Sequence, residues 1–77
     1  MKLEILSPDA LLFEGEVEAI QLPGKDGSLG ILNSHAPLIS SLREGKVKIT
    51  QNGNDSFFDI NGGVVEVVNN KVIVLSD

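Results

Sequence analysis

The chain of 77 residues has no cysteine, no tryptophan and no tyrosine, and it has a single histidine. Without cysteine the fold has no disulfides, and there is no Cys/His cluster of the kind that binds structural zinc. Three phenylalanines are the only other aromatic residues, which argues against the stacking platforms of sugar- or nucleotide-binding modules. Stability must therefore come mainly from burial of aliphatic side chains.

Basic residues are also scarce. The formal net charge is −5, and the six Lys and Arg residues are scattered singly. This distribution argues against binding to nucleic acid and against direct adhesion to an anionic bilayer. No apolar run approaches the roughly 20 residues that span a membrane, and Glu4 interrupts the short apolar stretch at the N-terminus. We expect a soluble protein without a signal peptide.

The length predicts one small domain over residues 1–77. A chain of this size buries only about 60% of the surface that its unfolded form exposes, so its stability is expected to be small. A larger partner that binds only the native state would add to that stability. Permanent docking is therefore an attractive arrangement for this chain.

Alternating apolar and polar residues predict an all-β fold. The clearest half-buried strand is Lys46–Thr50, and turn signals recur about every eight to twelve residues, as in sandwiches and barrels. We predict turns at Asn52–Asp55, Asn61–Gly63 and Asn69–Asn70, because Asn and Gly tolerate positive φ. A slip in the alternation near Ala19 suggests a β-bulge.

No motif predicts catalysis. His35 has Ser34, Ser40 and Ser41 near it in sequence, but there is no G-x-S-x-G elbow, and one histidine is too few for a zinc site. The glycine-rich stretch 24–28 lacks the Walker spacing, and the stretch 59–62 lacks the ligands of a calcium loop. We expect no catalytic residues, no cofactor and no metal. A stand-alone β module that binds a peptide at a sheet edge remains the alternative to a subunit of a larger assembly.

Several ordered motifs resemble the N-terminal domain of the epsilon subunit of F-type ATP synthases. They are LPGKDGSLGILNSHAPLISSL from Leu22, the stretch Glu44–Val47, the stretch Ile60–Val67 and the stretch Asn70–Leu75. The similarity extends over nearly the whole chain. It implies a flattened β-sandwich of about ten short strands and a non-catalytic subunit in the rotor of the F1 sector. The implied partners are the gamma subunit and the c-ring, and the rotor couples proton flow to ATP synthesis.

The resemblance also implies a location and two contact surfaces. The location is the cytoplasmic face of a bacterial inner membrane, where the chain would be held only through the complex. A similar turn is expected at Asn33–Ser34, where many family members have Pro-Gly. The c-ring-facing residues are expected to be Lys25, Asp26, Gly27, Ser28, Leu29 and His35, with His35 near the same end as the glycine-rich loop. The gamma-facing residues are expected to be Ser7, Pro8, Leu38, Ile39 and Leu42.

One departure from the family pattern concerns the C-terminal end. Members usually continue into a two-helix hairpin that can insert into the catalytic head and inhibit ATP hydrolysis, whereas this sequence ends at Asp77. The resemblance therefore implies that the chain, as given, lacks the element needed for that inhibition.

Overall fold

The computed structural model describes all 77 residues and contains seven strands joined by turns. They form one hydrogen-bonded sheet in the order β2-β1-β7-β6-β5-β3-β4. There is no helix with the length and apolar character needed to cross a membrane. The strands are β1 (Lys2–Leu6), β2 (Leu11–Glu16), β3 (Ala19–Gly24), β4 (Gly27–Leu32), β5 (Leu38–Gln51), β6 (Asn54–Val68) and β7 (Lys71–Ser76).

The sheet folds over on itself because β5 and β6 are long enough to run through two layers. In layer A, residues 38–42 of β5 pair with residues 63–67 of β6, beside β7, β1 and β2. In layer B, residues 44–51 of β5 pair with residues 54–61 of β6, beside β3 and β4. The molecule measures 26 × 22 × 19 Å, whereas seven strands in a flat sheet would span about 30 Å and be much thinner.

The inward side chains of both layers form one core. Strand β1 alternates as the period of two requires, with Leu3 and Ile5 fully buried. Fifteen buried aliphatic residues from the two layers make a single cluster. Phe13 of layer A and Phe58 of layer B meet edge to face with their ring centroids 5.7 Å apart. The two layers therefore stabilise each other.

Two corners carry the chain between the layers. At the first, the Val17 N–H donates to the Met1 carbonyl in layer A, and the Glu18 N–H donates to the Thr50 carbonyl in layer B. The prediction of a bulge near Ala19 is therefore wrong. The interruption of the apolar–polar alternation marks the end of β2 and the passage of the chain from layer A to layer B. Irregular pairing occurs instead at Ile5/Leu6 and between Gln21 and Gly24.

At the second corner the predicted turn at Asn61–Gly63 is also wrong. Strand β6 bends there without reversing, and its pairing with β5 resumes on both sides of the bend. Gly62 and Gly63 have φ values of 117° and 137°, which a residue with a side chain rarely adopts. A Cβ on Gly63 would also collide with the Leu75 carbonyl. The glycine pair is therefore the hinge on which β6 passes from one layer to the other.

The all-β class and the sandwich are confirmed, and the number of strands is seven because two long strands serve both layers. The predicted turn at Asn52 is confirmed as a two-residue hairpin, with φ of 51° at Asn52 and 77° at Gly53. The turn at Asn69 and Asn70 is confirmed as well, with φ values of 51° and 60°. At the turn after β4, Ser34 is the residue with positive φ, at 62°.

Candidate protein-docking surfaces

The region around the single histidine has no arrangement for catalysis. The His35 Nδ1 atom lies 2.7 Å from the Ala36 carbonyl oxygen, and the ring makes no hydrogen bond to a serine. The Ser40 hydroxyl donates to the Ser41 carbonyl. No group of three or more His, Cys, Asp and Glu residues could hold a metal ion.

The first candidate docking surface is the tip of the β3–β4 hairpin. Gly24 pairs with Gly27, so that Lys25 and Asp26 form an exposed two-residue turn. The Lys25 N–H donates to the Ser41 carbonyl at 3.0 Å, which ties the tip to β5. Leu29 packs against the core behind the tip. The hairpin therefore presents one cation and one anion on an anchored turn.

His35 does not belong to this tip. The Ser34 N–H donates to Asn70 Oδ1 at 2.8 Å, so the His35 segment lies beside the β6–β7 turn. Strand β4 separates it from the tip, and its six residues span about 17 Å. The expectation that His35 lies near the same end as residues 25–29 is therefore wrong.

The five predicted gamma-facing residues do not form one patch either. Ser7 and Pro8 follow β1 at the end of the molecule that carries the hairpin tip. Leu38 and Ile39 begin β5 at the opposite end, where Leu38 packs against the core and Ile39 is 72% exposed. Leu42 is only 6% exposed and belongs to the core, so its inclusion in a contact surface is wrong.

The sequence analysis missed a larger surface on the outside of layer A. Leu11, Leu6, Leu75 and Val64 lie directly opposite one another across four neighbouring strands, which makes a continuous apolar row. The outward position of Leu6, Leu75 and Val64 follows from the register, because the alternate residues of β1, β7 and β6 are in the core, and Leu11 joins them through the irregular pairing of β2 with Leu6. We call this surface the apolar face; its apolar members are Leu6, Leu11, Ile39, Val64, Val68, Ile73 and Leu75, and the exposed Glu66 lies between Ile39 and Ile73.

A sequence signal for the apolar face does exist. Residues 72–75 are four apolar residues in succession, and residues 64 and 65 and residues 67 and 68 are apolar pairs. Continuous apolar runs in strands indicate burial on both sides, whereas alternation indicates one solvated side. The face is bordered at one end by charge, where Lys2 Nζ lies 3.4 Å from Glu14 and 3.8 Å from Glu4.

The outside of layer B is different in character, and we call it the polar face. Its outward residues pair across strands: Lys46 Nζ donates to Asp59 Oδ1 at 2.8 Å, and Thr50 Oγ1 donates to Asp55 Oδ1 at 2.8 Å. A cleft of about 270 Å³ crosses this face. The other members of the face include Gln21, Ser28, Lys48 and Phe57.

Comparison with known proteins gives a consistent result. The family described as "ATP synthase, Delta/Epsilon chain, beta-sandwich domain" matches residues 1–77. The ATP synthase epsilon chain of Desulforamulus reducens is 38% identical over 76 residues, which are 99% of this chain and 58% of that protein. The epsilon chain of Chlorobium limicola is 42% identical over 77 residues, which are 99% of this chain and 88% of that protein.

A solved structure has the same fold. A chain in the OSCP/F1/c-ring structure of Euglena gracilis mitochondrial ATP synthase superposes with a TM-score of 0.90 at 23% identity. The match covers 96% of this chain and 48% of that one. Most of the curated relatives are also longer, and this chain spans 56–58% of their length.

Proposed function

This chain belongs to the ATP synthase delta/epsilon β-sandwich family, and we propose that it is a non-catalytic rotor component of such an enzyme. In this role it binds the gamma subunit and the c-ring, and it helps to couple proton flow to ATP synthesis. Its place is the cytoplasmic face of a bacterial inner membrane, where it is held through the complex. The proposal is supported by relatives named ATP synthase epsilon chain and by a structural neighbour within an F1/c-ring assembly.

The observation that carries the proposal is the apolar face. Four of its members, Leu11, Val64, Leu75 and Ile39, have exposed side chains. An exposed row of apolar side chains on a small acidic chain indicates a surface that a partner covers. Covering it would stabilise the complex by about 25 cal/mol for each Å² of apolar surface removed from water.

We assign this face to the gamma subunit. Ile39 is the predicted gamma-facing residue that lies within it, and Ser7 and Pro8 follow directly after Leu6 at the end of its apolar row. The side chains of Leu38 and Leu42 support the face from the core side. A stable pair buries roughly 800 Å² on each partner, so gamma would extend beyond the apolar row onto its charged border.

The hairpin tip is assigned to the c-ring. Lys25 and Asp26 are exposed at a turn that is anchored to β5 through the Ser41 carbonyl, and Gln21 braces Ser28 by a hydrogen bond of 2.9 Å. An anchored turn with both signs of charge suits a partner that has polar loops. The charged side chains of this tip contribute mainly to orientation, because exposed ion pairs are worth about 0–1 kcal/mol.

Binding to a purified gamma subunit, measured by calorimetry, tests the assignment of the apolar face. The variant Ile39→Asp places a charge in the apolar face, and we expect it to weaken gamma binding by about tenfold, because it adds an unpaired carboxylate opposite Glu66. Leu32→Asp is the matched control: Leu32 is 65% exposed, close to the 72% of Ile39, but it lies at the end of β4 in layer B.

A comparison of the two variants shows whether gamma binds specifically to the apolar face. Equal weakening by Ile39→Asp and Leu32→Asp, with both variants folded, would contradict the assignment of gamma to the apolar face. The double variant Lys25→Ala/Asp26→Ala should leave gamma binding unchanged and weaken attachment to the ring. Absence of any binding between the unmodified, folded chain and a cognate gamma subunit would overturn the rotor function itself.

A further inference from the structure

We propose that the cleft on the polar face is a second docking site, which binds an acidic segment of a partner protein. The residues that carry this inference are Gln21, Ser28, Arg43, Lys46, Lys48 and Phe57. The cleft lies on the opposite side of the sandwich from the apolar face. The inference therefore does not depend on the proposed contact with gamma.

The cleft lies where the pairing of β3 with β5 is irregular. Gln21 pairs with Lys48, and the next pair is Gly24 with Leu42, so that two residues of β3 face five residues of β5. Pro23 has no N–H with which to continue the pairing. A Cβ on Gly45 would lie 2.9 Å from the Pro23 Cβ, so only glycine lets β5 approach closely here. Two residues of the irregular segment of β5, Arg43 and Lys46, line the cleft.

The charge of the cleft contrasts with that of the whole molecule. Three of the six basic residues line it, although the chain has a net charge of −5. Lys46 is paired with Asp59 at 2.8 Å, and Lys48 lies 3.9 Å from Asp55. The Arg43 guanidinium has no carboxylate within 4 Å, although arginine is well suited to bind one through two parallel hydrogen bonds. Arg43 is therefore the free cation at which an incoming carboxylate would bind.

The shape of the cleft favours a chain segment over a small anion. The cleft crosses four neighbouring strands, β4, β3, β5 and β6, a distance of about 14 Å. Phe57, which is 58% exposed, stands opposite Lys48 on β6 and offers an apolar contact in the same cleft as Arg43. A segment with a carboxylate and a neighbouring apolar side chain can use both ends, whereas a single phosphate can use only one.

An NMR titration of the isotope-labelled full chain tests the proposal. The probe is the blocked peptide Glu-Glu-Leu-Glu-Glu, and the neutral peptide Gln-Gln-Leu-Gln-Gln is its control. We expect the acidic peptide to shift the Arg43 side-chain signal and the amide signals of Gln21 and Phe57. We expect Arg43→Gln to weaken binding about fivefold and Arg43→Lys to weaken it less, because lysine keeps the charge but not the paired hydrogen bonds.

Lys71→Gln is the charge control, because Lys71 is a partly exposed lysine of layer A, remote from the cleft. Peptide binding that is unchanged in Lys71→Gln supports the site. A loss of affinity equal to that of Arg43→Gln would show that the peptide is attracted by charge in general, and it would overturn the proposal. Equal shifts with the neutral peptide would also overturn it. Inorganic pyrophosphate that binds as tightly as the acidic peptide would identify a small-anion site and refute the peptide assignment.

Discussion

The two outer faces of the sandwich come from strands of one sheet, and two of those strands run through both faces, yet one face is apolar and the other is polar. On layer A, the outward neighbours Leu6, Leu75 and Val64 contact one another across strands. On layer B, the outward neighbours Lys46 and Asp59 form an ion pair. The inward residues are aliphatic in both layers, so the core does not explain the difference. We infer that the contrast reflects what each face meets outside the molecule.

This contrast shows how to distinguish residues that determine the fold from residues that determine the choice of partner. A period of two is enough to make a sandwich, and the outward positions need only be compatible with water. Apolar residues at the outward positions of several adjacent strands add little to the isolated fold. Their presence therefore indicates a covered surface, and it is the basis for assigning the apolar face to gamma.

The largest effect is expected from breaking the bend that creates the two faces. Gly63→Ala would force a side chain into a backbone with φ of 137° and against the Leu75 carbonyl. We expect a loss of about 3 kcal/mol in the free energy of unfolding, measured by urea denaturation. Gly30→Ala is the control, because a Cβ there would have no atom within 4 Å. A loss below about 1 kcal/mol for Gly63→Ala would contradict the role of this bend.

A smaller effect is expected from substitutions that test whether layers A and B share one core. Ile5 belongs to layer A and Ile49 to layer B, and both are fully buried. Replacing either one by valine should cost about 1 kcal/mol, because each change removes one buried methyl group. Hydrogen exchange should then accelerate equally for the slowest amides of both layers. Acceleration confined to the substituted layer would mean that the layers unfold separately.

The sequence predicted those parts of the fold that depend on neighbouring residues. The strand at Lys46–Thr50 and the turns at Asn52–Gly53 and Asn69–Asn70 follow from local alternation and from the positive φ that asparagine and glycine accept. Local sequence could not distinguish a reversal from a bend at Gly62–Gly63. That outcome depends on whether strand pairing continues on the far side, and pairing joins residues that are distant in sequence.

The contact surfaces were harder to predict for the same reason. His35 is close in sequence to Ser28, but an intervening strand puts them at opposite ends of the molecule. Leu42 could have been excluded, because residues 38, 40 and 42 of one strand point to the same side and Leu38 faces the core. The apolar row required the order of strands, since Leu6, Leu75 and Val64 are far apart in the sequence.

The smallest effect concerns the ion pair on the polar face. Lys46 and Asp59 are 2.8 Å apart, but their side chains are mostly exposed, so solvent and salt screen the attraction. Asp59→Asn should therefore lower the free energy of unfolding by no more than about 0.5 kcal/mol, with Asp26→Asn at the hairpin tip as the control. The same substitution frees Lys46 beside Arg43, so it should strengthen binding of the acidic peptide. A large loss of stability would mean that this pair holds layer B together, and the polar face would then be part of the fold rather than a surface available to a partner.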